Sequence, residues 1–166
     1  MLAVDPGYDR CGVAVLEGDP SKPRVVWSAC ITPPKGRPEE RLGAIARELA
    51  ALIKKHAPAA LAAETLFFSA NVKTALGVAQ ARGVILAAAG LANIPAIECS
   101  PQQVKLAVTG YGAADKRAVA LMVPKLAALA PGKRLDDELD AIALGIAALA
   151  QKSEFAQMEG ARSRIS

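Results

Sequence analysis

The chain has 166 residues, 52% of them hydrophobic and 22% charged, which suits one core of ordinary size and excludes a disordered or low-complexity protein. Twenty Lys+Arg against sixteen Asp+Glu give a formal charge of +4, and acids neutralised by a bound cation would leave the rest of the surface more basic still, as a polyanionic partner requires. The longest apolar runs, such as 84–89 and 141–144, fall far short of a membrane span, and the start MLAVDPG has neither a basic n-region nor a long apolar h-region, so a cytoplasmic protein is expected.

Leu2–Asp5, Cys11–Glu17 and residues 24–32 read as strands, divided by turn clusters at Pro6-Gly7 and Gly18-Asp19-Pro20, the pattern of an antiparallel meander. Over Pro38–His56 the residues Leu42, Ile45, Leu49, Leu52 and Ile53 recur at helical spacing, and Pro58 stops the helix. Residues 59–64 read as a short buried strand, 69–91 as a long helix rich in small residues and 94–99 as a final strand. Ser100-Pro101 supplies an N-cap and an N1 proline for a helix ending near Val108. Pro124 should kink or split a helix over 113–129, and Asp136 can cap the last one. Apolar periodicity is lost beyond Ala150, which sets a domain at 1–150 and a flexible tail at 151–166. The order βββ-α-β-α-β followed by helices is an α/β arrangement, with three antiparallel strands and two more added through crossover helices.

Four acids stand where acids are costly. Asp5 and Glu64 each end an apolar strand, and Asp137 and Asp140 open an Ala/Leu/Ile helix on one face of it. Carboxylates forced together in a buried place repel and raise each other's pKa, a situation relieved when they share a cation. An all-carboxylate set suits Mg²⁺ or Mn²⁺ rather than zinc. Each acid also has a plainer reading: Asp5-Pro6-Gly7 is an ordinary turn sequence, and Asp136, Asp137, Glu138 and Asp140 suit a helix N-terminus. Glu98 is a further strand-end acid that nothing local excludes from the site. His56 reads as a helix C-terminal residue at the negative end of the dipole. Cys11, Cys30 and Cys99, odd in number and without C-x-x-C spacing, read as buried free thiols.

The string ETLFFSANVKTALGVAQARGVILAA resembles the central signature of the RuvC family of Holliday-junction resolvases. AVDPGYDRCGVAV, SPQQVKLAVTGYGAADKRAV and DELDAIALGIA resemble that family's other motifs, in the same order over about 1–150. The resemblance implies an RNase H-like fold: a five-stranded mixed sheet, three strands antiparallel and two parallel, flanked by helices. It implies a homodimeric, structure-selective endonuclease that cuts four-way DNA junctions by paired symmetric nicks in recombination and repair. Asp5, Glu64, Asp137 and Asp140 would then hold two Mg²⁺ ions, with Mn²⁺ able to substitute, and the products would carry 5′-phosphate and 3′-hydroxyl ends. Lys105 and Lys116 would lie near the scissile phosphate or backbone, with Lys116 counted among the catalytic groups. Phe67 would work against a base at the junction while Phe68 packs inward, and a branch-migration motor is an expected partner. The short first strand and Pro124 depart from the family pattern and bear on where Lys116 sits.

The small-residue series Ala75, Gly77, Ala79, Ala81 and Gly83 suits close helix packing, within the chain or across a dimer. Two other classes compete. The opening VDPGYDRCGVAV is also similar to the phosphate loop of actin-like ATPases, but that fold needs two such halves. A RuvX/YqgF-like relative or a non-catalytic RNase H-like binder is the other, disfavoured by the Q-A-R-G helix, the D-x-x-D ending and the retention of all four acids.

Overall fold

The computed structural model describes residues 1–65, 72–130 and 132–162. Its elements are β1 (Leu2–Asp5), β2 (Cys11–Glu17), β3 (Arg24–Ile31), α1 (Pro38–His56), β4 (Leu61–Glu64), α2 (Val72–Leu91), β5 (Ala96–Cys99), α3 (Pro101–Thr109), α4 (Lys116–Leu126) and α5 (Asp136–Arg162). The strands form one sheet in the order β3-β2-β1-β4-β5. The first three pair antiparallel, and β4 and β5 join parallel beside β1.

The three central strands β2, β1 and β4 are buried on both faces, and strand alternation sorts their residues between them. Leu2, Val4, Val13, Leu61 and Ala63 pack with Ile45 and Leu49 of α1 and with Ala81 and Ile85 of α2. Ala3, Ala14, Leu16, Ala62 and Cys99 pack on the other side, under α3, α4 and α5. Helix α5 is the centre of that layer, where Ala141, Ile142, Ala143 and Leu144 are almost entirely shielded.

Local signals account for most element ends. Ser100 accepts from the Gln103 amide at 3.2 Å and Gln103 reaches back to the Ser100 amide, a capping box that fixes the start of α3. Gly110, with φ 76, closes α3 in the left-handed conformation that glycine adopts without a Cβ penalty.

Several expectations are corrected. Asp136 is the first helical residue of α5 rather than its cap, because the Leu135 carbonyl already accepts from Leu139. Asp115 caps α4 instead, accepting from the Ala118 amide at 2.7 Å, so the helix spans Lys116–Leu126 rather than 113–129. Pro124 does not split it: it lies in the last turn, removes a single backbone donor, and the helix ends two residues later at Leu126. β4 and β5 begin two residues later than read, at the first residues paired in the sheet, Leu61 and Ala96. Helix α5 runs on past Ala150, to Arg162. Among the described residues no helix is long and apolar enough to cross a membrane.

Candidate active site

Parity along the strands places the first two acids. Ala3 and Ala62 face α5, so Asp5 and Glu64, two residues further along, project from the same face. β1 and β4 are adjacent and parallel, with Val4 opposite Ala63, so the two carboxylates leave the sheet side by side.

The helical pair is delivered by a close approach. Asp5 pairs with Gly12 across β1 and β2, and a Cβ on Gly12 would stand 1.7 Å from the Asp137 carbonyl oxygen. Only glycine allows the first turn of α5 to lie on the strand beside Asp5. Glu138 holds that turn in place by accepting from Ser28 Oγ of β3 at 2.6 Å, with Arg134 Nε 3.5 Å away. Acids at the start of α5 also complement the helix dipole.

The electrostatics record the crowding. Asp5 is pushed up to about 7, first by burial and then by the negative charges of Asp140, Glu64 and Asp137, with Lys116 acting against them. Glu64 is raised for the same two reasons, burial and then Asp140, while Lys105 and Lys116 oppose the rise. Lys116 Nζ lies 2.9 Å from Asp140 Oδ2, and that hydrogen bond raises its own pKa. Asp5, Glu64, Asp140, Lys105 and Lys116 line one cleft of about 230 Å³, with Val104, Val119 and Ala143 as its apolar wall. Pro124 leaves Lys116 undisturbed, because the lysine is the first residue of α4 and the proline sits in its last turn.

Asp137 stands slightly apart. It does not line the cleft, and its Oδ2 lies 2.9 Å from Arg10 Nη2. That oxygen is buried and yet has no aligned hydrogen bond. Among the described residues no three acid, imidazole or thiol groups close on one point tightly enough to hold an ion; Asp137 and Asp140 face cations of the chain itself. The donor set still fits a hard divalent ion. It consists of carboxylate oxygens around a strongly destabilised Asp5, with one buried oxygen short of a ligand.

Glu98 is separated from this group by one residue of parity. It pairs with Ala63 on the α1/α2 face, where its carboxylate meets Arg82 Nη2, and Arg82 Nε also donates to the Glu64 carbonyl at 3.1 Å. Cys99, not Glu98, is the residue opposite Glu64, a register that the sequence alone does not give. Arg10 carried no signal in the sequence, because a basic residue in a turn is ordinary. Asp136 does not line the cleft. Phe67 and Phe68 lie outside the described residues. His56 ends α1 as expected, its ring 5.9 Å from that of Trp27. All three cysteines are free, and burial pushes the Cys11 and Cys99 thiols up to about 11, as inert structural thiols should be.

Comparison with known proteins gives a consistent result. A family model described as crossover junction endodeoxyribonuclease RuvC matches residues 1–148. The crossover junction endodeoxyribonuclease RuvC of Syntrophomonas wolfei is 42% identical over 147 residues, covering 88% of this chain and 86% of that protein. Among solved structures, RuvC of Thermus thermophilus in complex with Holliday junction substrate superposes with a TM-score of 0.83 at 31% identity, covering 95% of this chain and 94% of the other. The yeast mitochondrial Holliday junction resolvase Ydc2 shares the fold at 10% identity, with a TM-score of 0.68 over 99% of this chain and 85% of its own.

Proposed function

Because the chain belongs to the RuvC family of crossover junction endodeoxyribonucleases, we propose that it resolves four-way DNA junctions by metal-dependent hydrolysis of paired phosphodiesters. The observation that carries this reading is Asp5 at the end of the central strand, forced up to about 7 first by its burial and then by acids delivered from β4 and α5. A fold gains no stability from that arrangement, and a divalent cation removes its cost.

Asp5, Glu64, Asp137 and Asp140 are the proposed ligands, for two Mg²⁺ ions with Mn²⁺ as a substitute. Bound there, such ions supply an activated water and positive charge for the departing 3′-oxygen, giving 5′-phosphate and 3′-hydroxyl ends. The chain's own cations do the rest. Lys116 and Lys105 enter the cleft from two different helices, and are placed to bind a phosphate and offset charge gained in the transition state. Phe67, three residues beyond Glu64 in the chain, is proposed to stack on a base opened at the crossover.

Two symmetric nicks need two sites at a fixed spacing, which a two-fold homodimer provides. Leu76 and Leu91 of α2 are 64% and 87% exposed, and Gly83 and Gly90 have open space where a Cβ would be, so this helix presents an apolar, low-relief surface for a second copy. The cytoplasm and a branch-migration motor as partner belong to the same reading. The decisive variant is Asp5→Asn. It removes the central ligand while leaving the phosphate contacts that supply affinity, so cleavage of a synthetic junction should vanish while binding to it persists. Full cleavage by Asp5→Asn would overturn the proposal.

A further inference from the structure

We propose that Arg10 is an exchangeable counter-ion of Asp137, which a divalent ion must displace before the carboxylate set is complete; this rests on the metal-site reading above. Arg10 lies at the end of the β1–β2 turn, with its Nη2 2.9 Å from Asp137 Oδ2. The contact is a near approach of charges rather than the forked pair that arginine makes with a carboxylate, because Oδ2 is left without an aligned hydrogen bond. The arginine side chain is 50% exposed and the aspartate 23%. The guanidinium can therefore swing into water without stranding its own charge, whereas the carboxylate cannot follow it. Asp137 is also the proposed ligand that does not line the cleft, and the side chain holding its oxygen is Arg10.

The turn does not depend on this pair. Arg41 of α1 stacks over the Tyr8 ring at 4.4 Å, donates to the Tyr8 carbonyl at 2.9 Å and meets Asp9 Oδ1 at 2.6 Å. Gly77 of α2 lies directly against the same ring, where a Cβ would come within 2.9 Å of it. Cys11 Sγ donates to the Gly7 carbonyl at 2.8 Å. The backbone is thus pinned from the α1/α2 side, and Arg10 reaches Asp137 as a free arm on a fixed base. Without a metal it limits the repulsion among the acids, and with one it becomes a competitor that sets how much metal the site needs.

The test is Mn²⁺ binding to the full chain without DNA, followed by the loss of the free-ion EPR signal, together with melting temperatures with and without the ion. Arg10→Gln should bind Mn²⁺ about two- to fivefold more tightly than wild type, the range expected for losing one half-exposed ion pair. Its metal-free melting temperature should fall and its rise on adding Mn²⁺ should grow. Arg10→Met, a second uncharged variant, should agree, and Arg10→Lys should stay near wild type. Unchanged or weaker binding in both uncharged variants, with Asp5→Asn still weakening binding, would overturn the counter-ion role and leave the metal site standing. Equal Mn²⁺ binding by wild type and Asp5→Asn would overturn the metal site and this inference together.

Discussion

Gly12→Ala tests whether the close approach of α5 to β2 assembles the site. The added methyl would stand 1.7 Å from the Asp137 carbonyl oxygen and 2.5 Å from its carbon. Neither atom belongs to a side chain that can rotate away, so strand and helix must part. Overpacking typically costs ~1–3 kcal/mol, and a clash of backbone with backbone belongs at or above the upper end. At roughly 2–4 °C per kcal/mol for a chain of this size, the melting temperature should fall by about 6–12 °C. The same displacement carries Asp137 and Asp140 away from Asp5, so cleavage should drop far more than the folded fraction does. Gly145→Ala is the control on the same helix. Its methyl meets the fully buried Leu16 side chain at 2.2 Å, so overpacking of ~1–3 kcal/mol is offset only in part by alanine's advantage of about 1 kcal/mol as a helix former. It should lose some stability yet keep its cleavage per folded molecule, because the clash is with a side chain and not with the backbone that carries Asp137. The assay is junction cleavage per folded molecule, with the folded fraction taken from thermal melts. Wild-type cleavage by folded Gly12→Ala would refute the idea that this approach positions the acids.

The remaining predictions concern individual charges and the stacking residue. Asp5 has its folded pKa raised to about 7, so its contribution to the stability of the metal-free protein is present at low pH and is lost as pH rises through about 7. Melts in EDTA at pH 5.5 and 8 should show that loss, and Asp5→Asn should flatten it; a variant with the wild-type slope would refute the assignment. Asp136→Asn and Glu98→Gln should each cost under about 1 kcal/mol in denaturant melts and leave cleavage near wild type, because one sits outside the cleft and the other holds an exposed pair with Arg82. Lys116→Ala should slow cleavage of a fully paired junction and of one with unpaired bases at the crossover alike. Phe67→Ala should lose ~1–3 kcal/mol of stacking and harm the paired junction far more; equal losses on both would assign Phe67 a packing role.

Strand and helix order was legible because alternation and turn chemistry are local. LAVD, CGVAVLE and LAAE are apolar up to their last acid, and Ser100-Pro101 marks a helix start with little ambiguity. Boundaries that depend on tertiary partners were less visible. A helix over 113–129 looked continuous in apolar pattern, yet the Asp115 side chain offers the backbone a better start, and Asp136 gave up its expected cap position to the Leu135 carbonyl. The acids could be named from their places at element ends. Their separation into cleft and periphery could not, because Arg10 and Asp137 lie far apart in the chain and meet only through the glycine at position 12. Glu98 was likewise open in the sequence, and the pairing of Cys99 rather than Glu98 with Glu64 is what removes it from the site.

The central claim is tested most directly by incubating the wild-type protein with a synthetic mobile four-way junction and with a linear duplex of equal length, in Mg²⁺ and in EDTA. The account predicts paired symmetric nicks in the junction with Mg²⁺, ends that a ligase can seal without further processing, no cutting in EDTA and little cutting of the duplex. Equal cutting of junction and duplex, or junction cleavage that persists in EDTA, would contradict it.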